Sequence, residues 1–226
     1  MKYVNQLDYP HLLYKTGLKL DYDYYLANKE RIDASNFGPL KFEPGMKPLA
    51  NPQTTVAPAG CGLCCAVMAA DQLTPNSTFT LEDALDLSYA SHANEGIGTE
   101  YDPFAPAFAE KMGYEFKGTN SLEELDAWLA TGGVAVAKAG GDRKDGHIGV
   151  FTHGWHYILV FAKNADGKYA ILDPSQTPTK YDEPGRKELI EQGLLKVDGC
   201  IIYADGSILK EEVKLFDPGF YMFRRK

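Results

Sequence analysis

The chain has 226 residues, 44% of them hydrophobic, and a formal net charge of -8. This length provides for one sizeable core, or for two lobes packed across a cleft, and we expect a single domain over residues 1–226. The acidic balance and the lack of any Lys/Arg run argue against a nucleic-acid partner, because affinity for nucleic acid comes mainly from neutralising phosphates.

The sequence gives no sign of a membrane or of a disulfide scaffold. Its start has no apolar signal segment, and no apolar run approaches the roughly 20 residues that span a bilayer. We therefore expect a protein without membrane insertion, cytoplasmic by default and exported only if a leader has been removed. Four cysteines are too few for a disulfide-stapled domain. Cys61, Cys64 and Cys65 lie too close together in one predicted helix to bridge each other, which leaves Cys200 as the remaining partner.

The first half of the chain is predicted to contain loops and then helices. Residues 1–56 show no sustained period, which indicates extended and loop structure with one short helix near Tyr22 to Arg31. Apolar spacing at i, i+3, i+4 and i+7 predicts a helix from Cys61 to Leu73. Three more helices are expected: one opened by a capping-box variant at Thr80 and running through Ala93, one over PFAPAFAEKMG, and one opened by a capping box at Ser121.

After Gly133 the pattern changes to that of strands. The apolar runs VAVAK, HYILVFA and KYAILD are predicted strands, with a turn at Asp166-Gly167 between the last two. The later runs CIIYA and FYMF could extend the same sheet. Because helices come first and strands second, without βαβ alternation, we predict an α+β fold with an antiparallel sheet.

Cys61 is the first candidate for chemistry. It stands between two glycines at the predicted start of a helix, where free backbone N–H groups and the helix dipole favour a negative charge and lower a thiol pKa. The Cys61 N–H could then receive an oxyanion, and Gly62 adds no Cβ that would obstruct a substrate. The alternative is that Cys61 is an ordinary small buried residue, as many free cysteines are.

His156 and Asp173 could supply the base for such a thiol. His156 begins the most apolar strand, and Asp173 ends the strand that the Asp166-Gly167 turn folds back beside it, so both lie at the same end of the sheet. A histidine with a carboxylate to orient its ring is what thiol catalysis needs. The alternative is a plain hairpin with a surface histidine and a turn aspartate.

Two stretches, AGCGLCCAVMAADQL and GWHYILVFAKNADGKYAILDPS, occur in the order in which one known family has its motifs. They resemble the bacteriocin-leader-processing family of cysteine peptidases, family thirty-nine, and its stand-alone bacterial relatives. The resemblance implies a papain-like cysteine peptidase whose helical N-terminal part carries the nucleophile and whose C-terminal antiparallel sheet carries His and Asp. It implies catalytic roles for Cys61, His156 and Asp173, a peptide or protein substrate, and no metal or organic cofactor.

The resemblance also implies a glutamine upstream of the cysteine as a second oxyanion donor. Gln6, in NQLDYP, resembles the motif that opens many stand-alone members, whereas Gln53 is closer to Cys61 but lies in a less similar context. We favour Gln6, which would make residues 17–50 an insertion between a strand carrying Gln6 and the nucleophile helix. Either glutamine could instead be a solvated polar side chain.

The sequence departs from the family after the Cys-Gly pair. Leu63, Cys64 and Cys65 stand where members tend to have a proline and small hydroxyl residues. The leader peptidases proper are fused to membrane-spanning and ATP-hydrolysing segments, and this chain contains neither a P-loop motif nor a transmembrane run. Leader cleavage at a double glycine is therefore not implied.

Three other interpretations stay open at this point. The same triad could serve an amidase, an acyltransferase or a transglutaminase, which share the thioester intermediate and differ in the acceptor. The fold could also be a catalytically silent peptide-binding domain. Finally, Cys61-x-x-Cys64 could be a redox or metal motif, with Cys65 and one of His147, His153 and His156 as further ligands.

Overall fold

An antiparallel sheet formed by the second half of the chain organises the fold. The computed structural model describes residues 1–36, 41–48 and 54–226. The helices in these ranges are α1 (Tyr22–Ala27), α2 (Lys29–Ala34), α3 (Val56–Ala59), α4 (Cys61–Leu73), α5 (Leu81–Ala90), α6 (Tyr101–Met112), α7 (Leu122–Ala130), α8 (Pro184–Glu191) and α9 (Gly206–Glu212). The strands are β1 (Leu13–Tyr14), β2 (Thr54–Thr55), β3 (Tyr114–Thr119), β4 (Val134–Gly140), β5 (Trp155–Lys163), β6 (Tyr169–Leu172), β7 (Leu195–Asp198), β8 (Ile201–Ala204) and β9 (Phe220–Arg225).

Within the described ranges, seven strands form one sheet in the order β3-β9-β4-β5-β6-β8-β7. Every pairing in that sheet is antiparallel. The predicted α+β class with an antiparallel sheet is therefore confirmed. The prediction missed β3 and β7, which are the two edge strands. Both carry charged residues on their exposed positions, as edge strands commonly do, so neither has the apolar run that marked the central strands.

The sheet separates two hydrophobic cores, and alternate residues of its central strands enter each of them. Val134 and Val136 of β4 belong to the core that also contains α4, α5 and α6. Ala135 and Ala137 point the other way, into a core that contains residues of α7 and α9. Since side chains alternate along a strand and both faces are covered, all seven residues of β4 are buried.

The helix starts follow the predicted caps. Thr80 and Asp83 form a complete capping box at the start of α5, although the helix ends at Ala90, three residues before the predicted end. Ser121 accepts a hydrogen bond from the backbone N–H of Glu124 at the start of α7. The Glu124 carboxylate lies 3.0 Å from Lys117, so only half of the predicted box is present.

The N-terminal region contains more structure than was predicted. The single helix expected near Tyr22 to Arg31 is a pair, α1 and α2, joined at Asn28, and Asp21 caps the first of them. The proposed insertion over residues 17–50 lies partly outside the described residues. In the part of the chain that is described, no helix combines the length and hydropathy of a bilayer span.

Candidate active site

Cys61 is the first residue of α4, and the glycine before it is required by packing. The preceding helix, α3, ends at Ala59, so the chain turns from one helix into the next at Gly60. A Cβ on Gly60 would lie 2.4 Å from Cγ1 and 2.7 Å from the carbonyl oxygen of Val56. Only glycine fits this tight turn, and the turn sets the thiol of Cys61 at the helix N-terminus.

Gly62 is also required by packing, and for a different reason from the one predicted. A Cβ on Gly62 would lie 2.8 Å from the ring of Tyr101 and 3.0 Å from Cβ of Thr99. The Tyr101 hydroxyl donates a hydrogen bond of 2.7 Å to the carbonyl oxygen of Gly62. The lack of a side chain at this position thus lets α6 approach the first turn of α4, and the interpretation of Gly62 as clearance for a substrate stays a prediction.

The structure brings Cys61 and His156 into contact. Burial opposes ionisation of the Cys61 thiol, but a hydrogen bond and the charge interaction with His156, aided by the backbone N–H groups of Tyr157 and Gly62, hold its pKa below the ordinary value. Burial also opposes protonation of His156, but the charges and hydrogen bonds of Asp173 and Cys61 together outweigh it, so the pKa of His156 is raised. These two shifts favour a thiolate next to an imidazolium.

Asp173 lies at the other side of the imidazole ring. Nε2 of His156 donates to Oδ1 of Asp173 across 2.8 Å. Because Nε2 is engaged there, Nδ1 is the nitrogen left to face the thiol. Asp173 is fully buried and His156 is 5% exposed. Burial alone would raise the pKa of this carboxyl, but His156 and Lys180 lower it far below its usual range, so Asp173 is ionised.

Three residues that the sequence patterns did not mark hold the Asp173 carboxylate in place. Lys180 lies 2.6 Å from Oδ2, and the Tyr181 hydroxyl donates to the same oxygen across 2.8 Å. The backbone N–H of Ser175 donates to Oδ1 across 2.9 Å. Lys180 and Tyr181 belong to a short 3-10 turn, Lys180–Asp182, whose return to the carboxylate has no local sequence signal.

Ser175 connects these groups to the histidine. Its hydroxyl lies 3.1 Å from Nε2 of His156 and donates to Oδ1 of Asp173 across 3.1 Å. Lys180 in turn donates to the Ser175 hydroxyl across 2.6 Å. The ring edge that carries Nε2 is thus enclosed by a network of hydrogen bonds, which restricts the orientation of the imidazole.

Gln6 is buried beside the segment that leads into Cys61. It lies in the 3-10 turn Gln6–Asp8, not in a strand, which corrects the expectation of a donor strand. Its side-chain N–H donates to the carbonyl oxygen of Ala57 in α3. A carboxamide has two N–H groups, so one donor remains. Gln53, the alternative donor, lies outside the described residues.

The N-terminal segment also holds the loop that carries Asp173. The backbone N–H of Gln6 donates to the carbonyl oxygen of Pro174 across 2.7 Å. The Tyr3 hydroxyl donates to the carbonyl oxygen of Asp173 itself, also across 2.7 Å. The chain start therefore bonds to two successive carbonyl groups that flank the buried carboxylate.

A narrow cleft with a volume of about 130 Å³ opens onto Cys61 and His156. This is below the roughly 300 to 1,000 Å³ that pockets for drug-sized ligands and cofactors occupy, so the cleft suits a side chain and a reacting carbonyl. Its walls come from the end of α3, the loop before α6 and the strands β4 and β5: Pro58, Ala59, Ile97, Gly98, Thr99, Lys138, Trp155 and Tyr157.

The other cysteines and histidines have surroundings of a different kind. Burial raises the pKa of the thiols of Cys64 and Cys65, and Cys200 is a free thiol that immediately precedes β8. His147 bonds to Glu212 across 2.9 Å. His153 lies between Asp142 and Glu183. Among the described residues, no group of His, Cys, Asp and Glu side chains has the arrangement of a metal site.

Sequence comparison gives no family for this chain, since no model of a known family and no curated protein matches it. In fold, it is similar to a crystal structure from Bacillus anthracis that is described provisionally as a C39-like peptidase. The sequence identity is 11% and the TM-score is 0.45, over 74% of this chain and 89% of that chain. A similarity this distant says nothing about the roles of individual residues.

Proposed function

We propose that the protein is a thiol-dependent hydrolase, a cysteine peptidase that uses Cys61 as nucleophile, His156 as base and Asp173 to orient the histidine. The observation that carries the proposal is the contact of a helix-terminal thiol with an imidazole whose other nitrogen lies 2.8 Å from a buried carboxylate. Papain-like enzymes also have their nucleophile at the start of a helix that packs against the sheet carrying the base. We therefore extend the proposal to one papain-like domain over residues 1–226.

The chemistry follows from the protonation states. The Cys61 thiolate attacks the carbonyl carbon of a peptide bond, and the electron pair of the carbonyl moves onto its oxygen. When this tetrahedral species collapses, the C–N bond breaks and the imidazolium of His156 gives its proton to the leaving amine. Water then attacks the thioester while His156 takes one of its protons, the C–S bond breaks, and the thiolate returns.

The negative oxygen formed in the first step needs donors. The backbone N–H of Cys61 is the first donor in the proposal, because N–H groups in the first turn of a helix have no carbonyl partner within that helix. The remaining N–H of the Gln6 side chain is the second. Each such donor contributes about 100- to 1000-fold to the rate of acyl transfer in enzymes of this kind.

The first test is the alkylation rate of each cysteine by iodoacetamide between about pH 5 and 9, mapped by mass spectrometry. The lowered pKa of Cys61 predicts fast alkylation of this residue at acidic pH, whereas Cys64 and Cys65, with raised pKa values and buried thiols, serve as internal controls. His156→Ala should abolish the advantage of Cys61. Alkylation of Cys61 no faster than that of a thiol of ordinary pKa, about 8.5, would sink the proposal.

Hydrolysis is tested separately on a peptide library, with the products identified by mass. The reactive pair exists above the lowered pKa of Cys61 and below the raised pKa of His156. We therefore expect a bell-shaped pH dependence of kcat/KM, in which activity falls as pH drops through the first value and as it rises through the second. Amide products in place of free acids would reassign the enzyme to acyl transfer.

The oxyanion donor is tested by comparing Gln6→Ala with Gln53→Ala. We expect Gln6→Ala to lower kcat about 100-fold or more with little change in the alkylation rate of Cys61, because the amide acts on the oxyanion and not on the thiol. Gln53→Ala should retain activity within about twofold. A loss confined to Gln53→Ala would transfer the role to that residue.

A further inference from the structure

Lys138 places a cation in the wall of the cleft. It lies in the middle of the sheet, on β4, directly opposite Tyr157 of β5. Its side chain is only 7% exposed, and it lines the same cleft as Cys61 and His156. Lysine is almost never this buried without a close ionic partner, so its position needs an explanation.

The ionic partner of Lys138 among the described residues is a distant one. Oε2 of Glu100 lies 3.6 Å from its ammonium nitrogen, which exceeds the usual length of a charge-assisted hydrogen bond. The rings of Phe216 and Tyr157 lie at 5.0 Å and 5.7 Å from the same nitrogen and can offer only cation–π attraction. Burial lowers the pKa of Lys138, and Glu100 only partly opposes this. Among the residues that the structure describes, no hydrogen bond of ordinary length holds this ammonium group.

Glu100 does not depend on Lys138. Its Oε1 accepts hydrogen bonds from the Tyr24 hydroxyl, across 2.9 Å, and from the backbone N–H of Ile97, across 3.2 Å. If another acceptor took the ammonium group, Glu100 would keep both of these bonds. The Glu100 carboxylate would therefore stay hydrogen-bonded after Lys138 turned to another acceptor.

We propose that Lys138 is a specificity-determining residue that binds the carboxylate of an acidic side chain in the substrate. This inference rests on the proposed function and names the substrate class for the same site: peptides with Glu or Asp close to the scissile bond. A carboxylate entering the cleft would make a short, desolvated ion pair with Lys138. A neutral or apolar side chain at that point would leave the ammonium group without the bond, which costs affinity.

The narrow cleft and the single ammonium group suit a carboxylate of a short side chain. With a volume of about 130 Å³, the cleft has room for one such side chain beside the reacting carbonyl. Trp155 is another residue of the cleft wall, and the Arg31 guanidinium lies 4.4 Å from its ring. Arg31 therefore adds a second positive charge near the cleft. The positive charges of Lys138 and Arg31 both attract an anionic group. In the free enzyme, the negative charges of Glu100 and Asp102, which also act on Lys138, balance these two positive charges.

The test uses peptidyl vinyl sulfones, which alkylate a catalytic thiolate by conjugate addition. The four peptide positions that precede the reactive group are varied one at a time. At each position, three probes are compared that carry Glu, Gln or Leu there and are otherwise identical. Mass spectrometry gives the rate of labelling at Cys61. At one of these positions, we expect the Glu probe to label wild-type protein at least about 10-fold faster than the Gln probe.

Variants locate the source of this preference. In Lys138→Met the Glu probe should lose its advantage over Gln and fall behind Leu, and Lys138→Arg should keep part of it. Lys163→Met is the matched control, because Lys163 also lies on a central strand, 2.7 Å from a carboxylate of Asp126 and 4.8 Å from the ring of Tyr169, but outside the cleft. This variant should keep the full Glu preference.

The two proposals fail in distinguishable ways. Suppose that iodoacetamide alkylates Cys61 rapidly at acidic pH. If the Glu and Gln probes then label wild-type protein equally fast, or if no probe labels it, Lys138 does not select an acidic substrate. Retention of the Glu preference in Lys138→Met would overturn the inference too. The comparison of Glu with Gln in wild-type protein needs no variant, so it decides the matter even if Lys138→Met does not fold. Slow alkylation of Cys61 by iodoacetamide would instead remove the proposed function.

Discussion

Among the described residues, two buried carboxyl groups each lie beside a histidine, at nearly the same distance but in different surroundings. Asp173 and His156 lie 2.8 Å apart, and Glu212 and His147 lie 2.9 Å apart. Both carboxyl groups are fully buried. Yet the pKa of Asp173 is held far below its usual range, whereas burial raises the pKa of Glu212.

The second oxygen of each carboxyl explains the difference. Oδ2 of Asp173 lies 2.6 Å from the Lys180 ammonium and accepts from the Tyr181 hydroxyl. Oε2 of Glu212 has no hydrogen-bond partner among the described residues. Cations and donors must compensate for lost hydration to keep the pKa of a buried carboxyl low. At Glu212, His147 and the backbone N–H of Val150 do not suffice. A histidine-carboxylate distance by itself is therefore a poor mark of a catalytic pair.

The strongest test of this comparison is the replacement of each carboxyl group by an amide. We expect Asp173→Asn to lower kcat/KM by about 100- to 10,000-fold, because the imidazolium and the ring orientation both depend on the carboxylate. Glu212→Gln, the matched control, should change it less than about twofold. The alkylation rate of Cys61 at about pH 6 provides a second readout. Equal losses in the two variants would mean that the pairs do not differ in role.

The same variants should differ in stability. Asp173→Asn leaves Lys180 buried beside a neutral amide, and breaking a buried ion pair in this way costs about 3 to 5 kcal/mol in the free energy of unfolding. Glu212→Gln should cost less than about 1 kcal/mol, since the raised pKa shows that this site favours a neutral group. Urea denaturation at one pH measures both values.

The pH dependence of stability sharpens the comparison further. A carboxyl whose folded pKa lies above its unfolded value stabilises the fold fully below the unfolded pKa, and this contribution is lost as pH rises through the folded pKa. Between the ordinary value of 4.5 and the raised pKa of Glu212, the free energy of unfolding of wild-type protein should fall relative to that of Glu212→Gln. The expected slope is about 1.4 kcal/mol for each pH unit in that range. A constant difference across the range would show that Glu212 is not perturbed.

The smallest expected effect concerns Lys180. If the charge of Lys180 is removed, the Cys61 thiolate loses a stabilising cation, and Asp173 acts more strongly on the imidazolium of His156. Both pKa values should therefore rise, and both limbs of the pH profile should move to higher pH. We expect Lys180→Met to move them by less than about one pH unit. The alkylation profile of Cys61 measures the acid limb, with Lys163→Met as the control. Movement of either limb to lower pH would contradict the role given to Lys180.

The sequence predicted the parts of the structure that depend on neighbouring residues. The caps at Thr80 and Ser121 and the apolar strands gave the helices α5 and α7 and the centre of the sheet, because these signals lie within a few residues of the element they specify. The edge strands β3 and β7 lack such a signal. The α+β class followed because α4 to α7 precede the central strands, although α8 and α9, which the sequence patterns did not predict, lie among the later strands.

The residues of the candidate site also divide into those that a local sequence pattern marks and those that it does not. Cys61, His156 and Asp173 each stand at the end of a recognisable element, and the structure brings them together, although their catalytic roles remain a proposal. Lys180 and Tyr181 were missed because they reach Asp173 through an irregular turn. The pair of Glu212 and His147 joins residues 65 positions apart, and no local pattern marks it.

The contacts of the chain start with the Asp173 loop have a consequence for folding kinetics. The hydrogen bond from Tyr3 to Asp173 joins residues 170 positions apart, so it closes one of the longest loops that this chain can form. Contacts of such high sequence separation are slow to form, whereas the helices need only local contacts. We expect low-pH reactivity of Cys61 to return later in refolding than the helical circular dichroism signal, and simultaneous recovery would argue against this order. A refolding chain would then acquire its reactive thiol only after its helices had formed.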